Sequence, residues 1–139
     1  MQLPDVNVWL TFDSHIHHPK AKTWFDAQSI DADICFCRTS QQGFLRLSTN
    51  QSVFGAHALT LLEAWQKYDL FLSDRRIVFA EEPIGLEGHW RTFTQRRTFS
   101  PQVWGDAYLA AFALAGNFEM VTLDQGFKQY PNVRCTILP

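Results

Sequence analysis

With 139 residues, 46% hydrophobic, 14% aromatic and 19% charged, the chain has the size and composition of one globular domain, not of a disordered or fibrous protein. No apolar run approaches the roughly 20 residues of a membrane span, and no basic-then-apolar leader opens the chain, so a cytoplasmic protein with no membrane partner is expected. The formal charge of −2 says little about partners without its distribution, and an odd number of cysteines, three, argues against a disulfide framework.

Residues 2 to 6 read as a short first strand whose ladder Pro4 limits. His15-Ile16-His17-His18-Pro19 reads as a loop into a helix, with Pro19 in its first turn and Ala21, Trp24, Phe25 and Gln28 on one stripe. Ile34-Cys35-Phe36-Cys37 is a compact second strand, its cysteines reduced, used for packing and expected on opposite faces. Thr39 or Ser40 caps a helix that runs through Leu47 and Ser48, and Asn50-Gln51-Ser52 is a break. Ala58, Leu61, Leu62 and Trp65 recur at helical spacing in the clearest amphipathic segment, and Phe71-Leu72-Ser73 ends it or links onward. Ile77 to Ala80 is a third strand. A stretch punctuated by Pro83, Gly85 and Gly88 precedes a short helix around His89 to Arg96. Ser100 as cap and Pro101 in the first helical position open an alanine-rich helix that Gly116 stops. Met120 to Leu123 and Arg134 to Leu138 are the fourth and fifth strands, the last at a sheet edge. Strands alternating with helices predict an α/β fold, a mostly parallel sheet of about five strands flanked by helices, with residues 1–139 as one domain.

Three aspartates interrupt or end otherwise apolar segments, where an uncompensated charge is costly. Asp5 ends the first strand, Asp106 sits in Trp104-Gly105-Asp106-Ala107-Tyr108, and Asp124 follows Met120-Val121-Thr122-Leu123. Ligands of parallel sheets bind outside the carboxyl ends of the strands, where Asp5 and Asp124 fall. Each acid also has a plainer role: Asp5 as a helix cap, Asp124 as a cap or turn residue, Asp106 paired with an arginine. Taken together, they suit a hard cation, magnesium or manganese, which would bind a phosphate oxygen and ease deprotonation of an attacking water. Asn7, two positions after Asp5, would share its side of an extended segment and hold a water or orient the acid.

Arg91, Arg96 and Arg97 lie in an aromatic-studded segment just before the helix of Asp106 and are candidate contacts to RNA phosphates. Phe99 and Trp104 flank the same entrance and could stack a base, although packing is the favoured reading of Trp104. His15, His17 and His18 lack an acid or cysteine spaced to complete a zinc site, and no glycine-rich phosphate loop follows the first strand.

Asp5-x-Asn7, Gly43-Phe44-Leu45-Arg46-Leu47-Ser48-Thr49-Asn50, Trp104 to Ala113 and Val121 to Phe127 occur in an order that resembles PIN-domain ribonucleases over nearly the whole chain, most closely the toxins of bacterial VapBC toxin–antitoxin modules. The resemblance implies a PIN-like three-layer fold, a homodimer, magnesium- or manganese-dependent cleavage of RNA, and a cognate antitoxin that blocks the site. It carries metal-binding roles onto Asp5, Asp106 and Asp124 and a polar supporting role onto Asn7; Arg46 would contact RNA or, by preference, pair with a site carboxylate. One departure stands out. Where many PIN domains have a further glutamate this chain has Gln41-Gln42-Gly43, and no acid occurs between Asp33 and Glu63. The readings at this point are a metal-dependent endoribonuclease toxin, a catalytically weak PIN-like protein that binds RNA or a partner, and a small phosphatase or other α/β hydrolase built on the same acids.

Overall fold

The computed structural model describes residues 1–12 and 18–139, with the side chain of His18 left aside, so the reading of the histidine loop lies outside the described residues. Strands β1 (Gln2–Pro4), β2 (Ile34–Phe36), β3 (Ile77–Phe79), β4 (Glu119–Thr122) and β5 (Cys135–Ile137) form one parallel sheet in the order β3-β2-β1-β4-β5. Parallel neighbours need long crossovers, and helices supply them. Helices α1 (Val6–Thr11) and α2 (His18–Asp26) join β1 to β2, and α3 (Arg38–Ser48), α4 (Gln51–Phe54) and α5 (Leu61–Leu72) join β2 to β3. The chain then returns through α6 (Leu86–Phe93) and α7 (Val103–Gly116) to place β4 on the other side of β1.

Strand alternation sorts the core into two layers. Leu3, Cys35 and Met120 point toward α6 and α7 and pack with Leu86, Phe93, Ala110 and Phe112. Ile34 and Phe36 point the other way, where Trp9 stacks on Phe36 at 3.7 Å and Phe44, Tyr68 and Phe71 close around them. Cys37 joins Cys35 in the first layer. The expectation of opposite faces is corrected here, because residues two apart along a strand share a face.

Other boundaries shift for local reasons. Cys37, not Thr39 or Ser40, occupies the cap of α3; Ser40 accepts a hydrogen bond from the Cys37 amide at 3.0 Å, the returning half of a capping box. Asn50 caps α4, so the expected break is a short helix. Residues Pro101 and Gln102 form a turn ahead of α7, and Asn117 in the left-handed region, not Gly116, terminates it. The largest correction concerns α5. Its inward face is Ala64, Tyr68 and Phe71, while Leu61, Leu62 and Leu70 are 75%, 69% and 63% exposed. The segment carries two apolar stripes, and periodicity alone does not say which one meets the sheet. Among the described residues, no helix is long and apolar enough to cross a membrane.

Candidate active site

The strand order reverses between β1 and β4: from β1 the chain builds outward to β2 and β3, then returns to the opposite side. Such a switch point opens a crevice at the carboxyl ends of the strands. Asp5 follows β1 and Asp124 lies two residues beyond β4, so both stand at this crevice. The register is tight there, with Pro4 opposite Val121 and the Asp5 amide donating to the Val121 carbonyl at 2.8 Å.

Thr122, fully buried at the end of β4, ties the two acids together. Its hydroxyl donates to Asp5 Oδ2 at 3.1 Å and accepts from the Asp124 amide at 3.0 Å. Sequence reading passed over this residue; a threonine at the strand end two positions before an acid was the available signal. Asp5 Oδ1 accepts from the Val6 amide at 2.7 Å and caps α1. Asp124 Oδ1 accepts from the Gly126 amide at 2.8 Å and caps the 3-10 turn Gln125–Gln129. The capping roles weighed for both acids are therefore real, and they aim the carboxylates rather than removing them from the crevice. Asn7 lies in the first turn of α1, not on an extended segment, and its Oδ1 accepts from the Leu123 amide at 3.4 Å, clamping α1 to the loop after β4.

Asp106, in the first turn of α7, is half-buried. Burial, then the charge of Asp124, holds its carboxyl above the ordinary aspartate range. Burial pushes Asp5 up to about 6, opposed by the Val6 hydrogen bond, with the charge of Asp106 adding to the rise. The three acids thus share one electrostatic neighbourhood. Among the described residues, no arginine or lysine forms an ion pair with any of them, so the plainer role of Asp106, paired with an arginine, is not seen there. Nor do three histidine, cysteine or acidic side chains stand close enough together to enclose an ion as placed, among the described residues. The chemistry of the set nevertheless fits a hard dication: oxygen donors only, mutual repulsion, and no ion pair among the described residues to offset it.

The glycine in Gln41-Gln42-Gly43 has a steric purpose. A Cβ on Gly43 would come within 2.7 Å of Val6 Cγ2, so α3 lies directly against the residue after Asp5. Gln42 is exposed, whereas Gln41 is buried and accepts from Arg38 at 2.6 Å.

The arginines separate. Arg96 hydrogen-bonds Gln129 and lies 5.9 Å from the centre of the Tyr130 ring, a residue on which both Asp106 and Asp124 act electrostatically. Arg97 is exposed in the same segment. Arg91 pairs with Glu87 at 2.9 Å on the outside of α6. Arg46 is exposed near the end of α3 and has no ion pair among the described residues, against the preferred carboxylate pairing. Trp104 is 58% exposed, with its ring edge-on to Trp90 at 6.1 Å, and Phe99 is fully exposed. With Arg96 they line a cleft of about 260 Å³ that none of the three acids lines.

A parallel sheet with aspartates on both sides of its switch point and a third on the packed helix defines a PIN domain, and a family model of that description matches residues 3–133. The chain belongs to the PIN-domain family. It is 48% identical to Ribonuclease VapC41 of Mycobacterium tuberculosis (strain ATCC 25618 / H37Rv) over 144 residues, 99% of each chain. Among solved structures, it is similar to Mycobacterium tuberculosis VapC20, a toxin that cleaves the sarcin–ricin loop, with a TM-score of 0.68 at 15% identity over all of both chains. Rickettsia felis VapBC2 bound to a promoter DNA fragment matches with a TM-score of 0.73 at 15% identity, covering 99% of this chain and 98% of that one.

Proposed function

We propose that the chain is a metal-dependent endoribonuclease and the toxin of a toxin–antitoxin pair. The observation that carries this reading is that Asp5 and Asp124 stand at the switch-point crevice of a PIN domain, linked through Thr122, with Asp106 near enough for its charge to act on Asp5. Asp5, Asp106 and Asp124 would hold magnesium or manganese. When bound, the dication neutralises phosphate charge and makes a water easier to deprotonate for attack on phosphorus. Thr122 fixes the rotamer of Asp5, the Gly126 amide fixes that of Asp124, and Asn7 holds α1 against the loop between them. Arg96 and Arg97 flank the entrance and would engage RNA phosphates. Arg91 would join them, because its exposed pair with Glu87 is worth little. Arg46, on the outer part of α3, would contact RNA farther along.

The crevice is open, with Asp124 exposed, which suits a polymer more than a small phosphate ester. The outward apolar residues Leu61, Leu62 and Leu70 of α5, with Ile84 and Phe99, are surface that protein partners would cover. A second copy of the chain and a cognate antitoxin are the partners we assign to them. The solved VapBC2 relative supports the antitoxin assignment.

Purified protein incubated with total RNA and manganese should yield discrete fragments, lost with chelator and in Asp5→Asn. RNA retained without any cleavage would favour the weak, binding-only reading instead, the one that glutamine in place of the family's glutamate motivates.

A further inference from the structure

Trp104 also walls a second cleft, of about 450 Å³, together with Trp90, Tyr108, Arg38, Glu81 and Glu82. The sheet sets its place. Arg38 stands two residues beyond β2, and Ala80, in the same wall, directly follows β3, so the cleft lies at the carboxyl edge that carries Asp5. Neighbouring strands are about 5 Å apart, which puts β2 and β3 roughly 5 and 10 Å from β1. Gly105 lines the cleft as well, and the next residue is Asp106.

Opposite charges share this cleft without meeting. Glu81 and Glu82 form no ion pair with Arg38, or with any other cation among the described residues. Neutral partners hold the charges instead. Arg38 donates to Gln41 at 2.6 Å and its guanidinium lies 4.8 Å from the centre of the Phe79 ring, while the Tyr108 hydroxyl donates to Glu82 Oε1 at 2.7 Å. The rings form a corner. Trp90 lies at 83° to Trp104 and 81° to Tyr108, and its indole N–H donates to the Trp104 carbonyl at 3.1 Å. An aromatic wall, an acceptor and a donor are thus in place before any ligand arrives.

Two carboxylates repel phosphate, so a base suits this cleft better than the RNA backbone does. The donors and acceptors select which base. A carboxylate only accepts, and only guanine among the RNA bases sets two donors, N1–H and N2–H, side by side for it. A guanidinium only donates, and guanine O6 and N7 are the acceptors that arginine reads most often. Single-stranded RNA is read in this way, by stacking on aromatic rings and hydrogen bonds to exposed base edges. We infer that the cleft binds a guanine base flanking the cleaved phosphate, stacked on Trp104, with Glu82 accepting from N1–H and N2–H and Arg38 donating to O6 and N7. The assignment rests on the endoribonuclease reading and gives it a base preference.

The test maps the cuts that the wild type makes in total RNA with manganese. A labelled oligonucleotide spanning one cut is then compared with versions carrying inosine or adenine for the guanine, using the wild type, Glu82→Gln and Trp104→Ala. In chelator, short uridine oligonucleotides carrying one guanine, inosine or adenine are titrated against tryptophan fluorescence, which reads binding without cleavage. We expect a guanine at one fixed position beside the cut, and a loss of about tenfold in kcat/KM and in affinity with inosine, which lacks only the N2 amine. Glu82→Gln should close the gap between guanine and inosine to within about twofold at an unchanged Tm. Trp104→Ala should weaken guanine and inosine oligonucleotides alike, by about tenfold. Cuts without a guanine preference, or a preference that survives Glu82→Gln, would overturn the proposal. So would quenching by an arginine-rich peptide, lost in Glu82→Gln, with guanine and inosine RNA bound alike; the cleft would then belong to a cationic side chain of a protein partner. A wild type that cuts no RNA but binds guanine over inosine through Glu82 would sink the nuclease reading and leave the guanine site standing. An active wild type indifferent to inosine sinks this inference alone.

Discussion

Replacing Asp5 by asparagine should abolish cleavage and at the same time make the protein more stable. In the folded chain this carboxyl keeps its proton up to about 6 instead of 3.8, first because it is buried and then because Asp106 and Asp124 repel its charge. Between those two values the native state holds a proton that the unfolded chain has released, so stability falls as pH rises through the window. At pH 7 the ionised Asp5 opposes folding by roughly 3 kcal/mol. Asparagine carries no charge, caps a helix as well as aspartate does, and retains an oxygen for the Val6 amide. Its amide nitrogen must find the Thr122 oxygen, which makes the figure a ceiling. For a chain of this length the gain corresponds to a Tm increase on the order of 10 °C. Thermal unfolding followed by circular dichroism at pH 7.5 and pH 4.5, in chelator, is the measurement. The variant should lead clearly at pH 7.5 and keep about a third of its advantage at pH 4.5. Manganese should raise the Tm of the wild type and narrow the gap. A variant less stable at pH 7.5, or an advantage that does not shrink on acidification, would show that charge repulsion at this crevice is not the dominant cost.

Thr122→Val removes the donor to Asp5 and the acceptor of the Asp124 amide, so Tm should drop by the equivalent of about 1–3 kcal/mol and cleavage at least tenfold; cleavage at the wild-type rate would show that Thr122 does not orient the acids. Gly43→Ala drives a methyl into Val6 and should destabilise by about 1–3 kcal/mol in denaturant melts, with a loss of activity because Val6 opens the helix that Asp5 caps. Arg97→Ala should weaken RNA binding and lower the slope of log affinity against log salt by about 0.7, as expected for one lost phosphate contact on a single strand; an unchanged slope would place Arg97 outside the RNA path.

Much of the architecture was legible in the chain because it rests on local rules. Alternating β and α patterns set the parallel sheet, and apolar residues on nearly every side of 103–116 marked a helix buried in the interior. Asp5, Asp106 and Asp124 were legible because a charge at the edge of a buried run is costly without a partner. Other features depend on residues far apart in sequence. Which stripe of α5 faces inward, and hence the exposure of Leu61 and Leu62, is set by the sheet it meets. Thr122 reads as an ordinary strand residue until β4 is laid beside β1, across 117 positions of sequence, and its hydroxyl reaches Asp5. Local pattern decides what each segment becomes, since helix and strand periodicities act over a few residues. Which polar atoms then face one another, and which are left without a partner, is decided only when the sheet assembles, because hydrogen bonds and charge repulsion act through space and not along the chain.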